Sequence, residues 1–503
     1  MVRSSVLHVL SAACCMVALT INPALAVDRK VDGSPRAGFE VVLTPSVASD
    51  GRVDGMAVEE RIALGDKPSV LTLVLPLAMP GAPRNADAIT ELLMRDAGGE
   101  VALRASDIDG ESFPLRRWTT QRAVVGQVSV RYRAGLQRPQ AGGPPYGIKA
   151  AGQGVAGSTK SFLLIPENVS SQASRLGWDL KALAPGSIGV ASGGEGTLVI
   201  PGPPSALDDH WLLAGPALRG QAQQTAGFNA YLIGSPPFDA SVEMAWARQT
   251  YDALADAFGY LGRPSYTLLI RALDIPSFET GTARLGGGGA LITVGGVFSE
   301  GYGVEAFHSL LVHEMAHQWT GQLTSGVEPW FAEGFNVFAE STVPCRASVM
   351  PWSACAARIN TQLGDLYRSE GRRWSLQHIN SAGFDQESVR RVPYARGLVY
   401  FAGVDAQLRQ RSAGRRGLLM AMRPLFAARQ AGGRFEQQDW EAFVARELGP
   451  QAVQTFRAVV IDGSEDAAMP EDLFGPQLRR VAHRWSTPQG DIDGYRWESV
   501  PQP

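Results

Sequence analysis

Residues 310–321 read LLVHEMAHQWTG. His313 and His317 are four apart, and Glu314 follows the first histidine. On an α-helix, positions i and i+4 lie one turn apart on one face. Two imidazoles placed this way reach one cation at about 2.0–2.1 Å. A glutamate beside the first of them can lean toward a metal-held water as general base. The same spacing also arises from two satisfied histidines on a buried helix. The motif by itself leaves both readings open.

The stretch that follows shifts the balance toward a metal. PWFAEGFNVFAE, 329–340, has helical periodicity, and a helix is expected from about Pro329 to Ser341. Glu333 sits there between apolar PWFA and GF. A buried, unpaired carboxylate is costly. A glutamate returning from an antiparallel neighbour is what a site of two histidines and one carboxylate needs, with the fourth position kept for water. The plainer reading of Glu333 is an exposed helix carboxylate.

Working outward, a helix from about Val304 to Thr320 carries the histidines. Before it, DASVEMAWARQTYDALADAFGYLG reads as a helix ending at Gly262, and SYTLLIRAL as a strand. LGGGGALITVGG, 285–296, is a glycine-rich strand or loop. From about 390 the chain reads mostly helical. Residues 27–235 differ: short alternating apolar runs such as SVLTLVLPL, VGQVSVRYRA and GTLVIPG are separated by Gly/Pro/Asp/Ser clusters. Many short strands with turn signals give a β-sandwich or saddle. The chain is therefore expected to be α+β and multidomain. The expected parts are a β-rich region 27–235, a catalytic region 236–412, a helical segment 413–475 and a weakly patterned tail 476–503.

The first 26 residues have Arg3, an apolar run and Ala24-Leu25-Ala26, the pattern of a secretory signal peptide. No later stretch is long and apolar enough to span a bilayer. The expected location is exported, periplasmic or extracellular. Cys14 and Cys15 leave with that segment, so Cys345 and Cys355 remain as an even pair. In an oxidising compartment they are expected to form a disulfide. With 45% hydrophobic and 19% charged residues and a net charge of −3, the chain has the balance of a soluble protein. That charge argues against a nucleic-acid surface and against a polybasic membrane tether.

HEMAHQWTG followed by WFAEGFNVFAE resembles the gluzincin aminopeptidases, the family of alanyl aminopeptidase and leukotriene hydrolase. A more distant likeness links it to the glycyl aminopeptidases. The resemblance is strong at three motifs within about 240–465 and thin between them. It implies an N-terminal β-saddle, a thermolysin-like catalytic domain and one Zn2+ per chain held by His313, His317 and Glu333. It also implies peptide substrates, with Glu314 as general base. The family's catalytic tyrosine lies in VPY-x-(K/R)-G. RVPYARG here puts that role on Tyr394, as stabiliser of the oxyanion. Glu340 matches a family glutamate and is a candidate to support a ligand from behind.

Two departures stand out. Fifteen residues (318–332) separate His317 from Glu333, three fewer than is usual in the family. The family also carries a G-x-M-E-N-like stretch whose glutamate grips the substrate's α-amine. The place matched to it here, LGGGGALITVG, has no glutamate. Gly286, Gly287, Gly288 and Gly289 are expected to offer backbone groups to an extended peptide, and Glu279 is the candidate substitute for the clamp. His308 is five residues before His313, on a different face, and reads as structural; His210, His378 and His483 lack partners at ligand spacing. The expectation is an exported zinc metallopeptidase, aminopeptidase-like. Two alternatives remain: an endopeptidase or special-substrate peptidase without the amine clamp, and a catalytically silent zinc-bearing binding protein. Sequence leaves the oligomeric state open.

Overall fold

The computed structural model describes residues 38–501 apart from 80, 111–112, 139–144, 221–226, 276–278, 285–286, 296–303, 322, 325–327, 383–385 and 489. The expected signal peptide, with Cys14 and Cys15, lies outside the described residues, as does Gly286.

The N-terminal part is built from three sheets. A seven-stranded sheet is centred on Phe39–Val47, Val53–Ala63 and Gln127–Gly135. Its strands alternate in burial. Val53–Ala63 buries Val58, Glu60 and Ile62 while exposing Ala57, Arg61 and Ala63, the period-2 pattern of a sheet with one face in a core. A four-stranded sheet holds Thr72–Pro76 and Leu115–Thr120, and a five-stranded sheet holds Trp211–Gly215 and Gly154–Ser158.

A fourth sheet is mixed and has five strands. Its order is Leu218–Arg219, Phe228–Ile233, Tyr266–Ala272, Gly289–Val294 and Glu279–Ala283. The three central strands are parallel, and the last strand is an antiparallel edge. Arg271 joins this sheet to the N-terminal part. It is fully buried and donates to the carbonyls of Pro145, Gly147 and Ala156 and to Thr293 Oγ1 at 2.6–3.0 Å. Burial pulls its pKa down to about 9.

Ten α-helices are described. Those that build the site region are α1 (Ala240–Phe258), α2 (Val304–Thr320), α3 (Pro329–Arg346) and α4 (Trp352–Arg368). With them come α5 (Leu376–Ala382), α6 (Glu387–Arg390) and α7 (Val392–Arg411). The Asp239 side chain caps α1 by accepting from Ser241 and Val242, and Gly259 ends it at φ 63°. Gly259 rather than Gly262 is therefore the stop, because it takes the left-handed conformation that closes a helix. α3 runs on to Arg346, past the expected end at Ser341. Pro344 lies in its last turn, where a missing N–H removes one hydrogen bond without breaking the upstream ladder.

The tail forms a hairpin, Leu478–Thr487 with Gly490–Ser499, where sequence showed only weak signals. It docks on α4: Asn360 exchanges two 2.8 Å hydrogen bonds with the Trp497 backbone, and Trp485 stacks on Tyr367. Behind the site, Trp319, Trp330, Phe331, Phe335, Phe401 and Trp440 form one buried aromatic cluster. No helix among the described residues is long and apolar enough to cross a membrane.

Candidate active site

α2 packs Phe307, Leu311, Met315 and Trp319 into the core. That leaves His313 and His317 one turn apart and facing α3. Glu333 enters from the first turns of α3. Its Oε2 lies 3.0 Å from His313 Nε2 and 3.6 Å from His317 Nε2. One ligand atom from each of the three residues lies within 4.8 Å of the others, a group able to hold a metal ion.

What sets the approach of Glu333 is a pair of glycines. A Cβ on Gly334 would come within 2.8 Å of the Gly397 Cα, and one on Gly397 within 2.5 Å of the Gly334 Cα. α3 and α7 therefore touch backbone to backbone at this point, as small residues allow. Glu333 and Tyr394 are close neighbours of that crossing on their respective helices. The Tyr394 ring stacks on His313, centroids 6.1 Å apart and 13° between planes.

The charges explain one another. Burial pushes His313 down, but hydrogen bonds to the Glu333 and Glu340 carboxylates outweigh it and hold the imidazole up at about 10. Burial acts to raise Glu333, and the His317 and His313 rings overcome it, so the carboxyl stays well below its usual range. Three lone-pair donors turned on one point repel unless a proton or a metal cation lies among them. Glu340 accepts at 3.3 Å from His313 Nδ1 and at 3.1 Å from Arg358 Nη2. A carboxylate on Nδ1 leaves Nε2 as the free donor atom. Asn336 Nδ2 donates to the His313 carbonyl at 3.4 Å.

Glu314 lies under the edge strand Glu279–Ala283 and feels the charges of His313, His317 and Glu333. A Cβ on Gly281 would lie 3.0 Å from its Cγ. Burial raises its pKa, against the pull of both histidines and a hydrogen bond from the Ala283 N–H. Tyr394 is also raised by burial, then by the charge of Glu333, while Arg390 opposes the rise. The residues singled out from the three motifs thus stand together in space: His313, Glu314, His317, Glu333, Glu340 and Tyr394.

The substrate-side expectations fare differently. In the described part of the glycine turn, backbone groups of Gly287, Gly288 and Gly289 are engaged by the protein itself. Gly287 donates to the Arg284 carbonyl and accepts from Arg284 Nη1, and Gly288 donates to Gln318 Oε1 at 2.6 Å. The Gly288 and Gly289 carbonyls accept from Thr267 and Arg284. Gly287 and Gly288, at φ 85° and 91°, serve to turn the chain between two strands. The strand beside Glu314 is Glu279–Ala283 instead. Glu279 opens it, paired with Val294; its side chain lies outside the described residues. The next residue after the strand is Arg284, whose guanidinium contacts the Asp209 carbonyl and His210 Nε2.

Sequence reasoning passed over Arg284, Arg358, Asn336 and Arg390. Only Arg390 carried a local signal, four residues before Tyr394, and its Nη1 donates to the Tyr394 oxygen at 3.2 Å. His308 pairs with Glu243 at 2.6 Å and stacks on Trp246, outside the site. Cys345 and Cys355 are bonded, joining the end of α3 to the start of α4.

No protein-family model matches the sequence, and no curated protein matches it. Solved structures do. An M1 zinc metallopeptidase from Deinococcus radiodurans aligns at TM-score 0.49 and 18% identity, over 86% of this chain and 93% of that one. Leukotriene A4 hydrolase from Saccharomyces cerevisiae aligns at 0.48 and 12%, over 86% and 68%. An aminopeptidase N family protein from Idiomarina loihiensis aligns at TM-score 0.69 and 16% identity, over 88% of this chain and 79% of that one. That last likeness shows that the chain has the fold of an aminopeptidase N family protein.

Proposed function

We propose that this protein is an exported zinc-dependent metallopeptidase. The observation that carries the reading is the convergence of His313, His317 and Glu333, with Glu314 and Tyr394 beside them. Two imidazoles and one carboxylate, with Glu340 behind His313, are a donor set that suits zinc. Held there, zinc would supply Lewis acidity, making water a nucleophile near neutral pH and polarising the scissile carbonyl.

The chain's own residues do the rest. Glu314 accepts a proton from the attacking water and passes it to the departing amine nitrogen. Its burial, which favours the protonated form, suits it to carry that proton. Tyr394 donates its hydroxyl hydrogen to the developing oxyanion. The strand Glu279–Ala283, the edge of its sheet among the described residues, is where an extended peptide would lie. The bonded Cys345–Cys355 pair supports the export reading.

Aminopeptidase-like cleavage follows from the resemblance. The endopeptidase reading has one observation in its favour. A cation, Arg284, and not a carboxylate, follows the strand that lies over Glu314. An α-ammonium buried there without a partner would be costly.

The test uses purified mature protein. It should carry one zinc per chain by elemental analysis. It should cleave a peptide mixture, and the matched pair of free and N-acetylated peptides decides between exo- and endopeptidase. Glu314→Gln should keep the zinc and lose about two to four orders of magnitude in kcat. Turnover by Glu314→Gln at the parent rate would remove the base from the mechanism. A zinc content near zero would sink the whole reading.

A further inference from the structure

We infer that Glu387 and Arg390 form a positioning pair that aims the Tyr394 hydroxyl into the site. The inference rests on the peptidase reading above. Glu387, Arg390 and Tyr394 occupy i, i+3 and i+7 across α6 and the first turn of α7, so they share one face. Arg390 Nε and Nη2 donate to the two oxygens of Glu387 at 2.7 and 2.8 Å. Such a two-pronged contact fixes the plane of the guanidinium. Arg391 Nε also donates to Glu387 at 2.7 Å, so the carboxylate is held twice. The remaining nitrogen, Nη1, donates to the Tyr394 oxygen at 3.2 Å, and the guanidinium carbon lies 5.8 Å from the ring centre.

The consequence follows from the donor inventory of a phenol, which has one O–H and acceptor capacity on the same oxygen. An N–H from Arg390 occupies the acceptor side. The hydroxyl hydrogen must therefore turn the other way. Its other neighbours include His313, on which the ring stacks, and Glu333 and Glu314, whose charges the phenol feels. A donor held in one direction before the substrate arrives needs no reorientation when the oxyanion forms, which is where such donors gain most of their effect. The guanidinium also sets a fixed positive charge behind the phenol. Arg390 touches Tyr394 and is not required to touch substrate, so its role is positioning.

The experiment is a double-mutant cycle on the zinc-loaded full chain: wild type, Arg390→Ala, Tyr394→Phe and the double variant, with Arg390→Lys and Glu387→Gln alongside. Kinetics on one fluorogenic peptide, zinc content and affinity for a phosphinic peptide, a tetrahedral mimic, are measured for each. Arg390→Ala should lower kcat by about tenfold to a hundredfold, with KM changed less than about twofold and zinc retained. The phosphinic peptide should lose affinity by the same factor. Arg390→Lys, which keeps a donor without the fork, should recover part of the loss. In the Tyr394→Phe background, removing Arg390 should cost almost nothing further, because the group it aims is gone. A loss of equal size in both backgrounds overturns the proposal, as does an unchanged kcat in Arg390→Ala. A separate readout needs no turnover. The Tyr394 Cζ resonance, assigned with Tyr394→Phe in 13C-tyrosine-labelled protein, should move in Arg390→Ala. If it moves while the wild type cleaves no peptide, the peptidase reading fails and the contact stands. If it stays put, the pair itself is refuted.

Discussion

At the scale of single residues, the candidate site was legible because most of it is local. His313 and His317 need only one helical turn to meet, and Glu314 is adjacent. Glu333 was harder, since the interval to His317 is short. The Glu333 carboxylate nevertheless reaches both rings. Arg284 was not legible at all: its partners, Asp209 and His210, lie 75 and 74 residues away. Glu340 shows how much a supporting residue matters. It is 3% exposed and lies between His313 Nδ1 and Arg358. Removing its charge frees the imidazole to rotate and lowers its basicity. Glu340→Gln keeps an acceptor for Arg358 and should weaken zinc binding by roughly 10–100-fold, read by chelator competition. An unchanged zinc affinity would reduce Glu340 to a partner of Arg358.

At the scale of elements, the motif glycines turn out to be structural. Both EGF and ARG contain one, and the two meet where α3 crosses α7. Sequence could place each glycine on its helix but not see that they touch. Gly397→Ala should push the helices apart, costing about 1–3 kcal/mol as an overpacked contact. It should also lower kcat, because Tyr394 and Glu333 ride on the helices being separated. Gly403, further along α7, has no atom within 4 Å of an added Cβ. Gly403→Ala should therefore stabilise by about 0.5–1 kcal/mol through helix propensity alone. Denaturant midpoints and kcat for the two variants give the comparison, and equal shifts would exclude the crossing as the cause. The same limit hid the C-terminal hairpin. Its strands are mostly polar and bury only Leu478, Trp485 and Trp497, too few to set an alternating signal.

At the scale of the molecule, the β-rich character of the N-terminal part was readable and its assembly was not. Phe39–Val47 pairs in parallel with Ala173–Trp178, Phe39 opposite Ser174, a pairing across the whole region that no local pattern encodes. Inside that sheet, Glu60 is a buried carboxyl at an otherwise apolar position. Tyr132 donates to its Oε1 at 2.7 Å, and its Oε2 has no partner among the described residues. Burial raises its pKa from 4.5 to about 8, against the hydrogen bond from Tyr132. The sign follows from proton counting. Below about 4.5 the group is protonated whether the chain is folded or not. Between 4.5 and about 8 the unfolded chain has released the proton and the folded one has not, so stability falls as pH rises. The slope reaches about 1.4 kcal/mol per pH unit, and it flattens above the folded value. Glu60→Gln keeps the shape and an acceptor for Tyr132 but cannot ionise. It should cost a roughly constant amount at every pH, about 1–3 kcal/mol, for a buried amide with unmet donors. Denaturant midpoints of both proteins at pH 5.5 and 8.5 isolate the term, since all other titrating groups are shared. The wild type should lose ground relative to Glu60→Gln between the two pH values. Two parallel lines would mean that Glu60 is ionised in the fold at neutral pH and that its pKa is not raised.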